Sequence, residues 1–569
     1  MNKILQVIFI VCIITQSFYV DAQNINIESF TKKDKLKLNS GLNANLVYNS
    51  QQQNGMPSVS YFLNGTVNLS IWDLNMPLTV NYSNRKFSYS QPFSYNFVTL
   101  RPTYKWISAE IGTCYTTFSP YSLNGHQYQG IGLALSPKKW SVNLMYGRLL
   151  KAQNGDSATK VLPSYKRMGM GIKTIYKSNK INLGLTLFNA ADQKNSLLPI
   201  LVSQPQPKEN LVIGLEFGAT LFKRLQFSTE YHSSALNDDK DQFNTEMSKP
   251  TSIASAFLNR KSNIQSYNSY KGSLITNISQ INSTIGLNYQ RVDPNYTTLG
   301  GYYFVNDFQN ITINYSQAIF NNKINFAGNI GFQEDNLSRQ KSSSQSRVVG
   351  SINLGANPSE KLNINLNFSN FRSYSYIRTA FDEIRKLNPF EQLDTLNYQQ
   401  INQNISTSIN YIFSSTAEQQ KSLNLDLSVM ESVNKQGGVV RIGQQSGFIN
   451  ANMIYNNQLL KKEQGFSLGL NTSINTMDIQ KSYSLGPLFN WQQGFMKKKL
   501  MANSSISYIY SYDSETDANS SALNIRGNLN YNIDKNKGLV SNLGLTNVSG
   551  SETISKNFIT LTVGFTSRF

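Results

Sequence analysis

From Lys35 to Tyr48, Leu36, Leu38, Leu42, Ala44, Leu46 and Tyr48 alternate with Lys35, Lys37, Asn39, Asn43 and Asn45. Side chains two positions apart share a face of a strand, so this segment reads as a strand with one apolar and one polar face. The same period of two returns at Val59, Tyr61, Leu63, Val67, Leu69 and Ile71, at Ile324, Phe326, Ile330 and Phe332, at Leu362, Ile364, Leu366 and Phe368, and at Leu423, Leu425, Leu427 and Val429. A helical period is absent from stretches of comparable length. The best helix candidate is Arg378–Leu387, inside a polar connection. The pattern predicts about 26 strands, within a range of 22–26, from 35–48 to 555–568. Pro102 interrupts the fourth, over 97–104, and marks a bulge there.

The connections alternate in length. Ser136–Lys139, Ser178–Lys180, Ile319–Asn322 and Ala356–Glu360 are short, whereas 190–208, 235–266, 292–307 and 372–399 are long. Short turns on one side and long loops on the other, between strands long enough for a tilted membrane crossing, are the mark of a transmembrane antiparallel β-barrel with short periplasmic turns and long extracellular loops. An even strand count places both ends of the barrel on the short-turn side. The competing all-β arrangement, a row of sandwich or propeller domains, predicts interdomain linkers and no regular alternation.

The first 22 residues carry Lys3, the short apolar run Ile4–Ile14 and Val20-Asp21-Ala22, the layout of a secretory signal peptide. Cys12 lies in the apolar run without the small residue before it that a lipoprotein signal needs, so no lipid anchor is expected. The expected organisation is 1–22 signal peptide, 23–34 short periplasmic segment and 35–569 one outer-membrane barrel. Only Cys114 then remains of two cysteines, which excludes an intramolecular disulfide. At the other end Ile559, Leu561, Val563, Phe565 and Phe569 share a face against Thr560, Thr562, Thr566 and Arg568. An alternating strand closed by Phe569, with Phe565 before it, resembles the signal that hands such barrels to the insertion machinery.

Two stretches carry a family likeness. One runs from Asn84 through Gln91-Pro92-Phe93, Tyr104-Lys105-Trp106, Phe118-Ser119-Pro120-Tyr121 and Gly125-His126 to Met145-Tyr146-Gly147-Arg148. The other runs from Arg291-Val292-Asp293-Pro294-Asn295-Tyr296 through Tyr302-Tyr303-Phe304 to Asn306-Asp307-Phe308. They resemble a family of large, largely uncharacterised outer-membrane β-barrels of Bacteroidetes-type bacteria. The resemblance implies a fold and a location, and no catalytic residues or substrate. Asp156-Ser157-Ala158 and Asp394-Thr395-Leu396 resemble the O-glycosylation motif of such bacteria, making Ser157 and Thr395 candidates for modification.

Composition then narrows the chemistry. Charged residues are 15% of the chain, yet Lys and Arg number 52 against 33 Asp and Glu, a net charge of +19. The cations gather at the short turns: Lys138 and Lys139, Lys177 and Lys180, Lys223 and Arg224, Lys323, Lys461 and Lys462, Lys497, Lys498 and Lys499, Lys535 and Lys537. This predicts a basic periplasmic rim, which would touch anionic headgroups, bias a pore towards anions, or hold lysines that merely snorkel beside the apolar band. Nucleic acid is not an expected partner.

His126 and His232 are the chain's two histidines, and both fall towards the long-loop rim. No G-x-S-x-G or H-E-x-x-H motif accompanies them, so a rim-active hydrolase is the least favoured reading. No cofactor or metal motif is present. Asp293 and Asp307 flank one loop and read as solvated rather than cation-binding. Gly169 and Gly171 form a bare G-x-G inside a strand and read as relief of crowding. The polar strand face is rich in Asn, Gln, Ser and Thr, as an aqueous lumen requires, and a barrel this wide needs a plug. With twelve residues between the expected cleavage site and the first strand, no N-terminal plug domain is expected. That argues against a TonB-dependent receptor and a lipopolysaccharide-insertion barrel. Loops 235–266 and 372–399, or a plug or secretion partner protein, are the expected fillers. The favoured function is a non-enzymatic channel or translocation pore, gated by loops or a partner. The alternative is a scaffold presenting its loops for surface assembly or adhesion. Outer-membrane lipids and the barrel-insertion machinery are expected partners in either case.

Overall fold

The alternating segments pair edge to edge, each with its neighbour in sequence, until the last meets the first. The computed structural model describes residues 36–50, 57–84, 96–154, 163–197, 205–238, 252–258, 264–301, 305–340, 343–377, 396–436, 439–478, 480–551 and 553–569. Its strands are β1 Lys37–Asn49, β2 Val59–Ile71, β3 Leu74–Ser83, β4 Phe97–Leu100, β5 Thr103–Tyr104, β6 Ile107–Cys114, β7 Tyr128–Leu135, β8 Trp140–Leu150 and β9 Lys166–Lys177. There follow β10 Ile181–Gln193, β11 Glu209–Leu221, β12 Leu225–Asn237, β13 Ile264–Ile278, β14 Ser283–Val292, β15 Phe308–Ile319, β16 Ile324–Asp335, β17 Ser343–Ser359 and β18 Leu362–Ile377. The last are β19 Leu396–Ser415, β20 Gln419–Gln436, β21 Val439–Leu459, β22 Gln464–Met477, β23 Gln480–Phe495, β24 Leu500–Asp513, β25 Ala518–Asn532, β26 Lys537–Gly550 and β27 Thr553–Arg568.

β1 pairs with β27 from Gly41↔Arg568 to Asn49↔Thr560. Beyond that register Phe569 N–H donates to the Ser40 carbonyl at 2.7 Å and Ser40 N–H to the Phe569 carbonyl at 3.0 Å. The sheet is therefore closed, which rules out separate sandwich or propeller domains. β4 and β5 each pair with β3 and β6 and form one stave broken at Arg101-Pro102, so the barrel has the expected 26 staves. Proline has no N–H to give the ladder. Ala109 N–H donates to the Pro102 carbonyl at 2.9 Å and holds the break in register.

Register shows which face looks out. Leu183↔Phe217, Leu185↔Leu215 and Leu187↔Ile213 stand opposite one another on β10 and β11, and most of these side chains are exposed. An exposed apolar band around a closed sheet is a surface for lipid. The intervening residues, such as Thr186, Phe188 and Asp192, face the lumen.

The connections on the rim that holds Trp72-Asp73 are two to four residues long throughout. On the opposite rim they are long as far as 378–395, but 437–438, 478–479, 514–517 and 551–552 are hairpins as short as those of the first rim. The length alternation read from the sequence thus ends near residue 395. From there the chain builds wall instead of loop. β17–β21 run 16–21 residues against 10–15 in β8–β16, more than the roughly 9–11 a tilted crossing uses.

Candidate functional site

The inner wall falls into two unlike sectors. In the first, β6–β14, the connections 115–127 and 293–301 turn into the lumen and lock together. Leu123 and Gly300 form a parallel bridge, and Asn124 N–H donates to the Gly300 carbonyl at 3.0 Å. Tyr296 Oη donates to the Tyr121 carbonyl and Thr298 Oγ1 to the Ser122 carbonyl, both at 2.7 Å. Backbone polar groups inside a wall cannot stay unpaired, and here each loop supplies the other's partners.

The wall meets the loops with complementary shape. Phe118, Leu123 and Leu299 are buried with Tyr128, Met145, Leu149, Phe188 and Val212, all but the loop residues inward positions of β7, β8, β10 and β11. Burying an apolar side chain of this size is worth about 1.5–3 kcal/mol. Small residues make the room. A Cβ on Gly171 would lie 2.5 Å from Phe118 Cε2, so this glycine does relieve crowding. Gly112 takes φ +104°, where a Cβ would sit 2.3 Å from the Val98 carbonyl oxygen. There β6 parts from β4, since their pairing ends at Thr99↔Gly112 while β6 follows β7 to Cys114↔Tyr128.

Charges pin the loops from the wall. Lys173 on β9 places Nζ 2.6 Å from the Phe118 carbonyl and 2.6 Å from Glu216 Oε1 on β11. Glu216 stands opposite Glu230 on β12, which stands opposite Lys271 on β13. Two lysines thus flank two adjacent carboxylates. Gln290 Nε2 on β14 donates to Tyr121 Oη at 2.9 Å. Burial, and then the Glu230 carboxylate, pushes the Tyr121 phenol up to about 12. Nearer the loop rim Arg167 grips Asp192 with two hydrogen bonds, 2.8 and 3.1 Å, and Asp192 also accepts Lys208 N–H at 3.0 Å. Asn210 reaches both partners: its Nδ2 donates to Ser234 Oγ at 2.8 Å and its Oδ1 accepts Leu299 N–H at 3.1 Å.

Both histidines belong to this assembly. His232 is fully buried, and its ring lies 5.2 Å from that of Tyr121. His126 is buried with Nδ1 2.8 Å from the Gln127 carbonyl. Burial lowers its pKa to about 4, against the pull of that carbonyl and with a small push from Arg167. Asp307 is buried rather than solvated and accepts Leu337 N–H at 2.8 Å. Asp293 accepts Asn268 N–H at 3.0 Å and Arg291 Nε at 3.3 Å. Among the described residues no group of three or more His, Cys, Asp or Glu is placed to hold a metal.

The second sector, β15–β27 with β1–β3, carries amides and hydroxyls on its inward positions. Asn503 donates to Asn528 at 3.2 Å, Asn452 to Asn450 at 2.9 Å, and Asn64 to Asn81, Asn410 to Asn424, Asn471 to Asn452 and Asn528 to Asn542 continue the belt. Asp426 and Arg526 are set among them. Asn503, Asn528, Asn542, Arg526 and Thr560 line an open recess of about 690 Å³. No connection covers this sector among the described residues.

Of the loops expected to fill the lumen, 372–399 is strand at both ends, in β18 to Ile377 and in β19 from Leu396, and its middle, 378–395, lies outside the described residues. Of 235–266, residues 239–251 and 259–263 also lie outside the described residues. Within that connection the described segment 252–258 carries a 3-10 turn at Ala254–Phe257 that packs on Ile213 and Ala235, and Ala254 N–H donates to Ser233 Oγ at 3.3 Å. By register those are outward positions, so the segment lies over the outside of the wall. The loops that the structure shows inside the lumen are two others. Phe118–Tyr121 and Arg291–Tyr296, residues that carried the family likeness, belong to the two loops that meet.

Lys138, Lys139, Lys223, Arg224, Lys461, Lys462, Lys497, Lys498 and Lys499 all lie in the short connections of one rim. Phe565 faces out opposite Ala44, and Phe569 is exposed at the seam. Residues 1–35, with the expected signal peptide, and Ser157 and Thr395 lie outside the described residues, as does the helix candidate Arg378–Leu387.

No protein-family model matches the chain, and no curated relative does. Solved structures do. The P pilus usher (PapC) translocation pore aligns over 94% of this chain and 99% of its own, at 10% identity and a TM-score of 0.33. The ferric yersiniabactin uptake receptor FyuA from Yersinia pestis aligns over 94% and 80%, at 9% identity and 0.40. OccAB2 of Acinetobacter baumannii aligns over 94% and 98%, at 9% identity and 0.28. What these share with the chain is the large barrel, and the functional reading rests on the lumen instead.

Proposed function

We propose that this chain is a non-enzymatic outer-membrane channel or translocation pore, constricted from one side by loops 115–127 and 293–301. One observation carries the reading. A lumen walled for water in one sector is narrowed in the other by two loops that hold each other by hydrogen bonds and the wall by buried apolar side chains and charged groups. A surface scaffold has no use for a belt of amides facing the lumen of its barrel. Amides and hydroxyls give a passing polar chain or solute many weak hydrogen bonds and little charge to trap it. A cargo or a plug partner would lie against that belt, opposite the loops.

A rim hydrolase would need a histidine that reaches solvent beside a nucleophile. His126 and His232 are both buried beneath the loops, which supports the non-enzymatic reading. The outward apolar band supports membrane insertion, with Phe565 and Phe569 on the stave offered to the insertion machinery, and the residue likeness to the Bacteroidetes-type barrels agrees.

Proteoliposomes test the proposal. The full chain, and a variant with 117–126 replaced by a short Gly-Ser link, are assayed for swelling in neutral sugars of increasing size. Uptake that extends to larger sugars in the variant supports the pore. Absence of uptake in both, with heat-modifiable folded barrel on gels, would favour the scaffold.

A further inference from the structure

We infer that the short-turn rim is a binding surface for the phosphate headgroups of anionic phospholipid in the periplasmic leaflet. The inference rests on the chain spanning a membrane and not on its being a pore.

The twelve short connections hold fourteen Lys and Arg against five Asp and Glu, a net +9 of the chain's +19. Among the described residues, only Lys105 and Lys461 of these fourteen have a carboxylate within 4.0 Å. Lys497, Lys498 and Lys499 stand consecutively in one turn. Like charges held this close call for counter-anions, and five carboxylates among fourteen cations are too few to supply them. On the other rim the thirteen connections hold fifteen Lys and Arg against fifteen Asp and Glu, so the basic excess of the connections belongs to one end of the barrel.

The neighbours of these lysines identify the anion. Apolar outward positions adjoin the turns: Trp140 meets Tyr176 at a tilt, ring centroids 5.0 Å apart, beside Lys139 and Lys177, and Phe495 and Leu500 flank the Lys497–Lys499 run. The turns themselves present large apolar side chains, with Phe222 89% exposed, Phe320 70% and Met496 65%. Lys138, Lys223, Lys497 and Lys498 take φ between 48° and 66°, in turns tight enough to keep the ammonium groups at the end of the wall. Cations set directly on the edge of an apolar band match a molecule with acyl chains below and a phosphate above. A soluble anion bound for the lumen would need the cations without that apolar collar.

The full-length chain is reconstituted into nanodiscs of phosphatidylcholine, or of the same lipid with one part in three phosphatidylglycerol, and its heat-unfolding midpoint is read on gels. The expected result is a midpoint several degrees higher with phosphatidylglycerol, a difference abolished by molar salt. In K497Q/K498Q/K499Q combined with K461Q/K462Q that difference falls by half or more, while the midpoint in phosphatidylcholine stays at the wild-type value and shows the variant folded. Equal midpoints in the two lipids would overturn the inference, as would a lipid difference untouched by the substitutions. So would a change in the anion-to-cation permeability ratio with no lipid difference, which would assign the lysines to pore electrostatics.

Discussion

Tyr296 Oη reaches the carbonyl of Tyr121, 175 positions earlier in the chain, at 2.7 Å, and the two rings meet edge to face with centroids 6.4 Å apart. This contact joins the two inward loops at a buried point. Replacing Tyr296 with Phe keeps the ring and strands a buried carbonyl, which costs about 1–3 kcal/mol. Amides of 118–124 should exchange faster in the variant, while those of β15–β27 keep their protection. Faster exchange around the whole barrel would show that the contact holds the wall and not the loop.

His126 gives the docked loops a pH dependence. Its pKa is about 4 when docked and about 6.5 when free. A depressed value means the contribution is complete above 6.5 and is lost as pH falls towards 4. At about 1.36 kcal/mol per unit, the loss approaches about 3 kcal/mol. Proteolysis within 115–127 should therefore rise between pH 6.5 and 4 in the wild type. In His126→Phe that rise should flatten.

Gly300 sits where no side chain fits. A Cβ there would lie 2.4 Å from the Ser122 carbonyl oxygen and 2.8 Å from the Phe188 ring. The carbonyl belongs to backbone and cannot swing away, so Gly300→Ala should push the loops apart at a cost of about 1–3 kcal/mol. Its heat-unfolding midpoint should stay within a few degrees of wild type while the buried Cys114 becomes reactive towards thiol reagents in the folded barrel. An unreactive Cys114 would mean that the loops absorb the methyl group.

Arg167 and Asp192 form a nearly buried pair, with side-chain exposure of 17% and 4%. Asp192→Ala leaves the guanidinium uncompensated and should cost about 3–5 kcal/mol. The double variant Arg167→Leu, Asp192→Leu should recover most of that loss in the unfolding midpoint. Equal loss in single and double variants would mean that Asp192 matters through Lys208 N–H instead.

The wall was legible from the chain because its rule is local. Within each described strand alternate residues face outward, and Pro102 announces its own break because a proline cannot donate. Lysines in two- to four-residue turns were visible for the same reason. The inward loops were not. Their docking depends on pairs such as Tyr121 with Tyr296 and Lys173 with Phe118, separated by 175 and 55 positions, and no period records such pairs. Lys173, Glu216, Glu230 and Lys271 occupy ordinary polar positions of four strands, and only register brings them together. Length singled out 235–266, whose segment 252–258 lies over the outside of the wall because Ile213 and Ala235 face outward there.

The account stands most directly on single-channel conductance in planar bilayers, measured for the wild type and for the chain with 117–126 replaced by a short Gly-Ser link. Removing one of the interlocked loops should raise the unitary conductance severalfold and admit larger polymers, with the wild type confined to a smaller, flickering level. Identical unitary conductance in the two proteins, or no current from either, would contradict a lumen held narrow by Tyr121, Tyr296 and their loops.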